Sequence, residues 1–232
     1  MAARAKADSP SLTSIAYRRL RDMMLSGELK AGAILQERRL AKVLDVSRTP
    51  LRDALFRLEG EGFVIRHDEG VLQVKPVTLE DYRDALRVRI LLETETARLA
   101  AGRLSAATVA HIREKVETLL EDVRHGGEIS RQAIEDADNA IHLALAEASG
   151  NPLLCELIVS IRQRSRLYGL DRRPSRLHDT CVEHLAILDA VEAGDGEAAA
   201  QAMEDHLRII MGDLQPRLNG PRSVRAVTGR GG

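Results

Sequence analysis

Four side chains in the second half of the chain have the types and spacing to hold a metal ion. Asp138 and His142 stand four residues apart in DADNAIHLALA, 136–146, so they share one helix face. His184 lies in CVEHLAILDAV among Leu185, Leu188 and Val191, and His206 lies in AMEDHLRIIM among Met203, Leu207 and Ile210. An acid or an imidazole buried alone is costly, so each needs a partner. If three helices turn these groups inward to one point, three imidazoles and a carboxylate form a donor set for a first-row divalent ion such as Zn, Ni or Mn. The ion would then supply the missing partner. The competing reading is separate, hydrogen-bonded histidines, which is the commoner account of any one of them. His111 and His125 read as surface residues, His178 is off the face of His184, and Cys155 and Cys181 read as small core residues rather than ligands.

A second chemistry lies in the first third, in SRTPLRDAL at 47–55. Arg48 and Arg52 are one helical turn apart, and arginine suits bidentate contact with guanine. Thr49 is at the same exposed end, placed for a phosphate or a base, while Leu51, Leu55 and Leu58 form the opposite, buried face. Arg38 and Arg39 open the preceding helix, where they would meet backbone phosphate. FVIR and VLQV flank HDEG as a hairpin whose tip, His67 to Gly70, would reach the neighbouring minor groove. Two arginines alone are usually a solvated surface. Short helix, turn, capped helix and hairpin in this order make a winged helix-turn-helix, whose second helix enters the major groove of duplex DNA.

The elements that must position both sets are marked by local chemistry. Helical periodicity starts at Leu12, with Ile15, Leu20, Met24 and Leu25 on or near one face, and Gly27 stops it. Ser47 is placed to cap the recognition helix, with Pro50 in its first turn. Beyond the linker Lys75-Pro76-Val77, periodicity predicts only helices: 79–102, 105–124, 130–149, 152–169, 175–193 and 196–213. Ser149-Gly150-Asn151-Pro152 and Gly194-Asp195 end one helix and start the next. The expected fold is therefore mostly α: a winged helix-turn-helix over 12–76, then an all-α antiparallel bundle over 77–215. The arm 1–11 and the Gly/Pro/Arg-rich tail 216–232 are expected to be disordered.

Composition agrees with a division of labour. Residues 1–76 carry 14 Lys/Arg against 10 Asp/Glu, whereas 77–215 carry 16 against 25. A basic front and an acidic rear fit a polyanion partner for the front alone. Two cysteines without a CxxC, no secretory leader and no long apolar run predict a cytoplasmic protein without a membrane partner. With only 2% aromatic residues, reading of single strands by base stacking is disfavoured.

LSGELKAG (25–32), ERRLA (37–41) and VSRTPLRDALFRLEGEGFV (46–64) make the front module resemble the DNA-binding domain of the GntR family of bacterial transcription regulators. The resemblance implies operator contacts by Arg38, Arg48 and Arg52. It departs at Asp45, where the family often has glycine. RILLETETARLAA (89–101), DADNAIHLALAEASGNPLL (136–154), EHLAILDAVEAGD (183–195) and MEDHL (203–207) make the rear module similar to the FCD effector domain of FadR-type members. That resemblance implies that Asp138, His142, His184 and His206 hold a divalent metal, and that a small organic acid binds beside it. It also points Arg89 into the cavity as a carboxylate clamp, with Arg162 and Arg166 as lesser candidates. Because some members have more than six helices here, the 125–132 loop is a place for another short one.

These readings predict a homodimeric regulator, a repressor released by its effector, with two recognition helices in successive major grooves of a pseudo-palindrome. Two rivals remain at this point. A metal-dependent hydrolase would need a general base beside a metal-bound water, and no HExxH or comparable base is present. An architectural DNA-binding dimer with a purely structural metal would respond to no small acid.

Overall fold

A computed structural model describes residues 11–167 and 176–214. The expected disorder of the arm and tail therefore falls outside the described residues, apart from Ser11, as do 168–169 and 175 at the ends of two predicted helices. Nine helices and one two-stranded sheet are present among the described residues. The chain divides into two compact units: Met1–Thr78 with Val159–Arg172, and Leu79–Ile158 with Arg173–Gly232.

The first unit holds α1 (Leu12–Ser26), α2 (Glu37–Leu44), α3 (Arg48–Gly60), β1 (Val64–Arg66) and β2 (Leu72–Val74). Ser11 caps α1 by accepting from the Ser14 amide, and Gly27 ends it in a left-handed conformation. The buried face of α1 is Ala16, Tyr17, Leu20 and Met24. Leu12, where the periodicity begins, is 58% exposed. Leu51, Leu55 and Leu58 of α3 are buried against this stripe together with Leu40 and Leu44 of α2. The hairpin pairs antiparallel in the register Val64↔Val74, Ile65↔Gln73, Arg66↔Leu72, which sends Val64, Leu72 and Val74 into the core.

The second unit holds α4 (Leu79–Ala100), α5 (Ala106–Arg124), α6 (Arg131–Ala148), the start of α7 (Pro152–Leu167), α8 (Leu177–Glu192) and α9 (Gly196–Gly212). α4 packs on α6 and α9, α5 on α6 and α8, and α8 on α9. Asn151 Oδ1 accepts from the Leu154 amide and Asp195 Oδ1 from the Ala198 amide, so both predicted caps form. Gly102 and Gly194, both at positive φ, bring two turns together: a Cβ on Gly102 would lie 3.6 Å from Gly194 Cα. That close approach seats the start of α9 beside the end of α4. The 125–132 segment adds no helix; it turns at His125–Gly126, and α6 begins at Arg131. No helix is long and apolar enough to cross a membrane among the described residues.

Candidate metal centre and nucleic-acid interface

Three helices of the second unit each deliver one imidazole to the same place. His142 on α6, His184 on α8 and His206 on α9 are 1%, 2% and 1% exposed. Their ring centroids are 4.7–5.4 Å apart. One nitrogen from each lies within 4.8 Å of the others. Asp138, one turn before His142, places Oδ1 3.6 Å from His142 Nε2 and 3.9 Å from His184 Nε2. Its side chain stays 37% exposed, so the acid stands at the edge of the cluster, not buried within it as the sequence implied. Asp138 sits one turn nearer the start of α6 than His142, and Arg131, Gln132, Ala133 and Asp136 in those first turns are exposed.

Two acids that sequence reasoning missed lie behind the imidazoles. Glu93 of α4, 1% exposed, accepts from Arg89 Nε at 2.6 Å and faces His142 Nδ1 at 2.5 Å. Glu183 of α8 faces His206 Nδ1 at 2.7 Å and accepts from Arg176 Nη2 at 2.6 and 2.7 Å. Burial raises the Glu183 pKa, but hydrogen bonds and charge from His206 and Arg176 outweigh it and hold the carboxyl below its ordinary value. Burial lowers the pKa of Arg89, and the Glu93 and Asp138 charges with the Glu93 hydrogen bond more than reverse this. The available signals were Glu93 four residues after Arg89, and Glu183 adjacent to His184.

The remaining candidates sort by position. Arg89 is buried, with Nε engaged by Glu93. Arg162 is buried and Arg166 half-buried in residues 159–172, which belong to the first compact unit. His111, His125 and His178 are exposed, and Cys155 is only part-buried. Burial pushes the Cys181 thiol up to about 11, which suits a core residue and not a ligand.

The donor chemistry fits a divalent ion. His206 Nε2 is buried with no hydrogen-bond partner, and an orphaned imidazole nitrogen at that depth costs free energy unless something binds it. Asp138 and the Nε2 atoms of the three histidines would hold the ion, which when bound would act as a Lewis acid toward an oxygen ligand.

In the first unit, Arg48, Thr49 and Arg52 are exposed on the first turns of α3, and Arg38 and Arg39 on α2. Ser47 occupies the N-cap position with extended backbone, but its side chain makes no capping bond, which corrects the expected cap. Asp45 adopts φ 52°, ψ 49°, the left-handed conformation for which glycine would be easier, and joins α2 to α3. Arg52 Nε donates to Glu37 at 2.8 Å; Arg52 is 65% exposed, so the pair is worth about 0–1 kcal/mol and yields readily to phosphate or base. Tyr17 donates to Glu61 at 2.6 Å and lies under the Arg57 guanidinium at 3.9 Å, tying α1 to the end of α3. At the wing, His67 Nε2 is 2.8 Å from Gln73 Oε1, and Gly70 at φ 76° makes the tip.

Fold and site together define a winged-helix protein with a helical second domain that carries a buried histidine cluster. The family comparisons agree. Residues 12–74 match the bacterial regulatory proteins of the gntR family, and residues 84–209 match the FCD domain. The HTH-type transcriptional regulator LutR of Bacillus subtilis is 33% identical, over 80% of this chain and 93% of its own. The Glc operon transcriptional activator of Escherichia coli is 30% identical, over 88% and 89%. The putative L-lactate dehydrogenase operon regulatory protein of E. coli is 34% identical, over 83% and 82%. Among solved structures, E. coli McbR/YncC superposes with a TM-score of 0.75 at 26% identity, covering 91% of this chain and 100% of that one. The chain belongs to the GntR family and carries an FCD domain. It is a DNA-binding transcription regulator and not an enzyme, which removes the hydrolase reading.

Proposed function

We propose that the chain is a homodimeric repressor whose operator affinity is set by a small carboxylate bound at a divalent metal, Zn, Ni or Mn, in the FCD domain. Asp138, His142, His184 and His206 hold the ion, and Arg89 receives the carboxylate beside it. Arg38, Arg48, Thr49 and Arg52 contact operator DNA, and the wing from His67 to Gly70 reaches the adjacent minor groove.

The observation that carries this reading is the convergence of three buried imidazoles from α6, α8 and α9. Charge supports an anionic effector. The Arg89–Glu93 pair cancels, Arg176 is shared by Glu183 and, at 3.5 Å, Asp213, and among the ion's own ligands only Asp138 is charged. A divalent ion therefore leaves one uncompensated positive charge, which one carboxylate neutralises. The name of one relative links it to an L-lactate dehydrogenase operon, whose substrate is a small hydroxy acid.

The effector binds one arrangement of the dimer better than the other and so shifts operator affinity. Typical couplings are about 1–3 kcal/mol, roughly 5- to 150-fold. The test is a thermal-shift screen of small carboxylates on metal-loaded protein, with a metal-stripped control, followed by operator binding with and without the hit. A rise in Tm that needs the metal, with weaker operator binding, supports the reading. A metal that stabilises while no carboxylate shifts either quantity supports the structural-metal alternative. Tighter operator binding with the hit overturns release by the effector.

A further inference from the structure

Two of the three imidazoles are held by the same arrangement, repeated on different helices. Arg89 Nε donates to Glu93 Oε1, and His142 Nδ1 meets Oε2 of the same carboxylate. Arg176 Nη2 reaches both oxygens of Glu183, and His206 Nδ1 meets its Oε2. Each carboxylate bridges two helices: Glu93 ties α4 to α6, and Glu183 ties α8 to α9. A carboxylate can only accept hydrogen bonds, so the ring nitrogen facing it carries the proton. In a neutral ring that leaves the lone pair on Nε2. His206 Nε2 is the buried, unbonded nitrogen described above.

We propose that Glu93 and Glu183 are the positioning residues of the metal centre, fixing His142 and His206 in the tautomer and orientation that present Nε2 to the ion. Arg89 and Arg176 hold these acids in place and offset their charge, so the outer layer orients two ligands. His184 Nε2, like His142 Nε2, faces Asp138 on the inner side. The inference rests on the metal reading above, with its inner ligands unchanged.

The experiment titrates Zn²⁺ into metal-stripped full-length protein under chelator competition. It compares wild type, Glu183→Gln, Glu93→Gln and the exposed control Glu197→Gln. Imidazole ¹⁵N NMR of the zinc-loaded proteins reports which ring nitrogen is metal-bound. Both site variants are expected to weaken zinc by about 10- to 100-fold, whereas the control matches wild type. In each site variant the Nδ1–H resonance of the facing histidine, and not that of the other, shifts as its bond to a charged acceptor is lost. If Glu93→Gln does not fold, Glu183→Gln with His206 as reporter decides the matter alone. Zinc affinity for Glu183→Gln within about twofold of wild type overturns the proposal, since loss of an orienting acid costs more. Ligation of His206 through Nδ1 in wild type overturns it as well. Failure of wild type itself to bind a divalent ion is a separate outcome: it removes the metal reading, and this inference with it.

Discussion

The two units use arginine in opposite ways. In the DNA-binding unit Arg38, Arg48 and Arg52 are exposed, and Arg52 pairs with the half-buried Glu37. In the FCD unit Arg89 and Glu93 are 4% and 1% exposed and continue into a buried histidine. An exposed guanidinium is already solvated and can be handed to a phosphate or a guanine at little cost to the fold. A buried one has lost its water and persists only while every partner stays in place. Damage to the exposed arginines of the first unit should therefore weaken recognition and spare stability, and damage to the second should begin with stability.

The strongest test of that contrast is Glu93→Ala in metal-stripped protein. Removing one partner of the buried pair leaves Arg89 buried without its hydrogen-bonded acid, at an expected loss of about 3–5 kcal/mol of unfolding free energy in urea. A loss below about 1 kcal/mol, the range of a surface pair, would put the two units on the same footing. Next in size is Arg48→Ala. Specific operator binding should weaken by about 1–3 kcal/mol in fluorescence anisotropy, with the melting curve near wild type. Preserved discrimination between operator and random duplex would displace Arg48 from the reading face.

A smaller effect, dependent on pH, is expected at Tyr17. Burial, followed by the hydrogen bond and charge of Glu61, raises its pKa above the ordinary 10. The folded state thus favours the neutral phenol more than the unfolded state does. The stabilisation is fully present below pH 10 and is lost as pH rises through the higher folded value. Tyr17→Phe should flatten the alkaline fall in unfolding free energy, and an identical slope in the variant would assign that fall elsewhere. The least effect belongs to Glu37→Ala, expected to cost about 0–1 kcal/mol of stability because its bond to Arg52 is solvated. A loss as large as that of Glu93→Ala would remove the distinction between the units.

Much of this was legible in the linear chain. Ser149-Gly150-Asn151-Pro152 and Gly194-Asp195 marked helix ends that the structure places within a residue or two, because caps and left-handed glycines are local chemistry. The front module was legible for the same reason, although Ser47 sits at its cap position without making the cap bond. The helical faces of His142, His184 and His206 were readable from the apolar residues around them. Asp138 was read as more buried than it is, since i, i+4 spacing places it on the face of His142 but does not say where that face meets its neighbours.

By itself, then, the amino-acid order determined the two modules, their order, nearly every helix boundary and three inward imidazoles, all of which follow from spacing within one or two turns. Tertiary structure alone decided which acid meets which ring. Glu93 finds His142 across 49 residues and Glu183 finds His206 across 23. Those pairings depend on how α4 seats on α6 and α8 on α9. That seating is the sum of many weak apolar contacts along each interface, and no short stretch of sequence carries it.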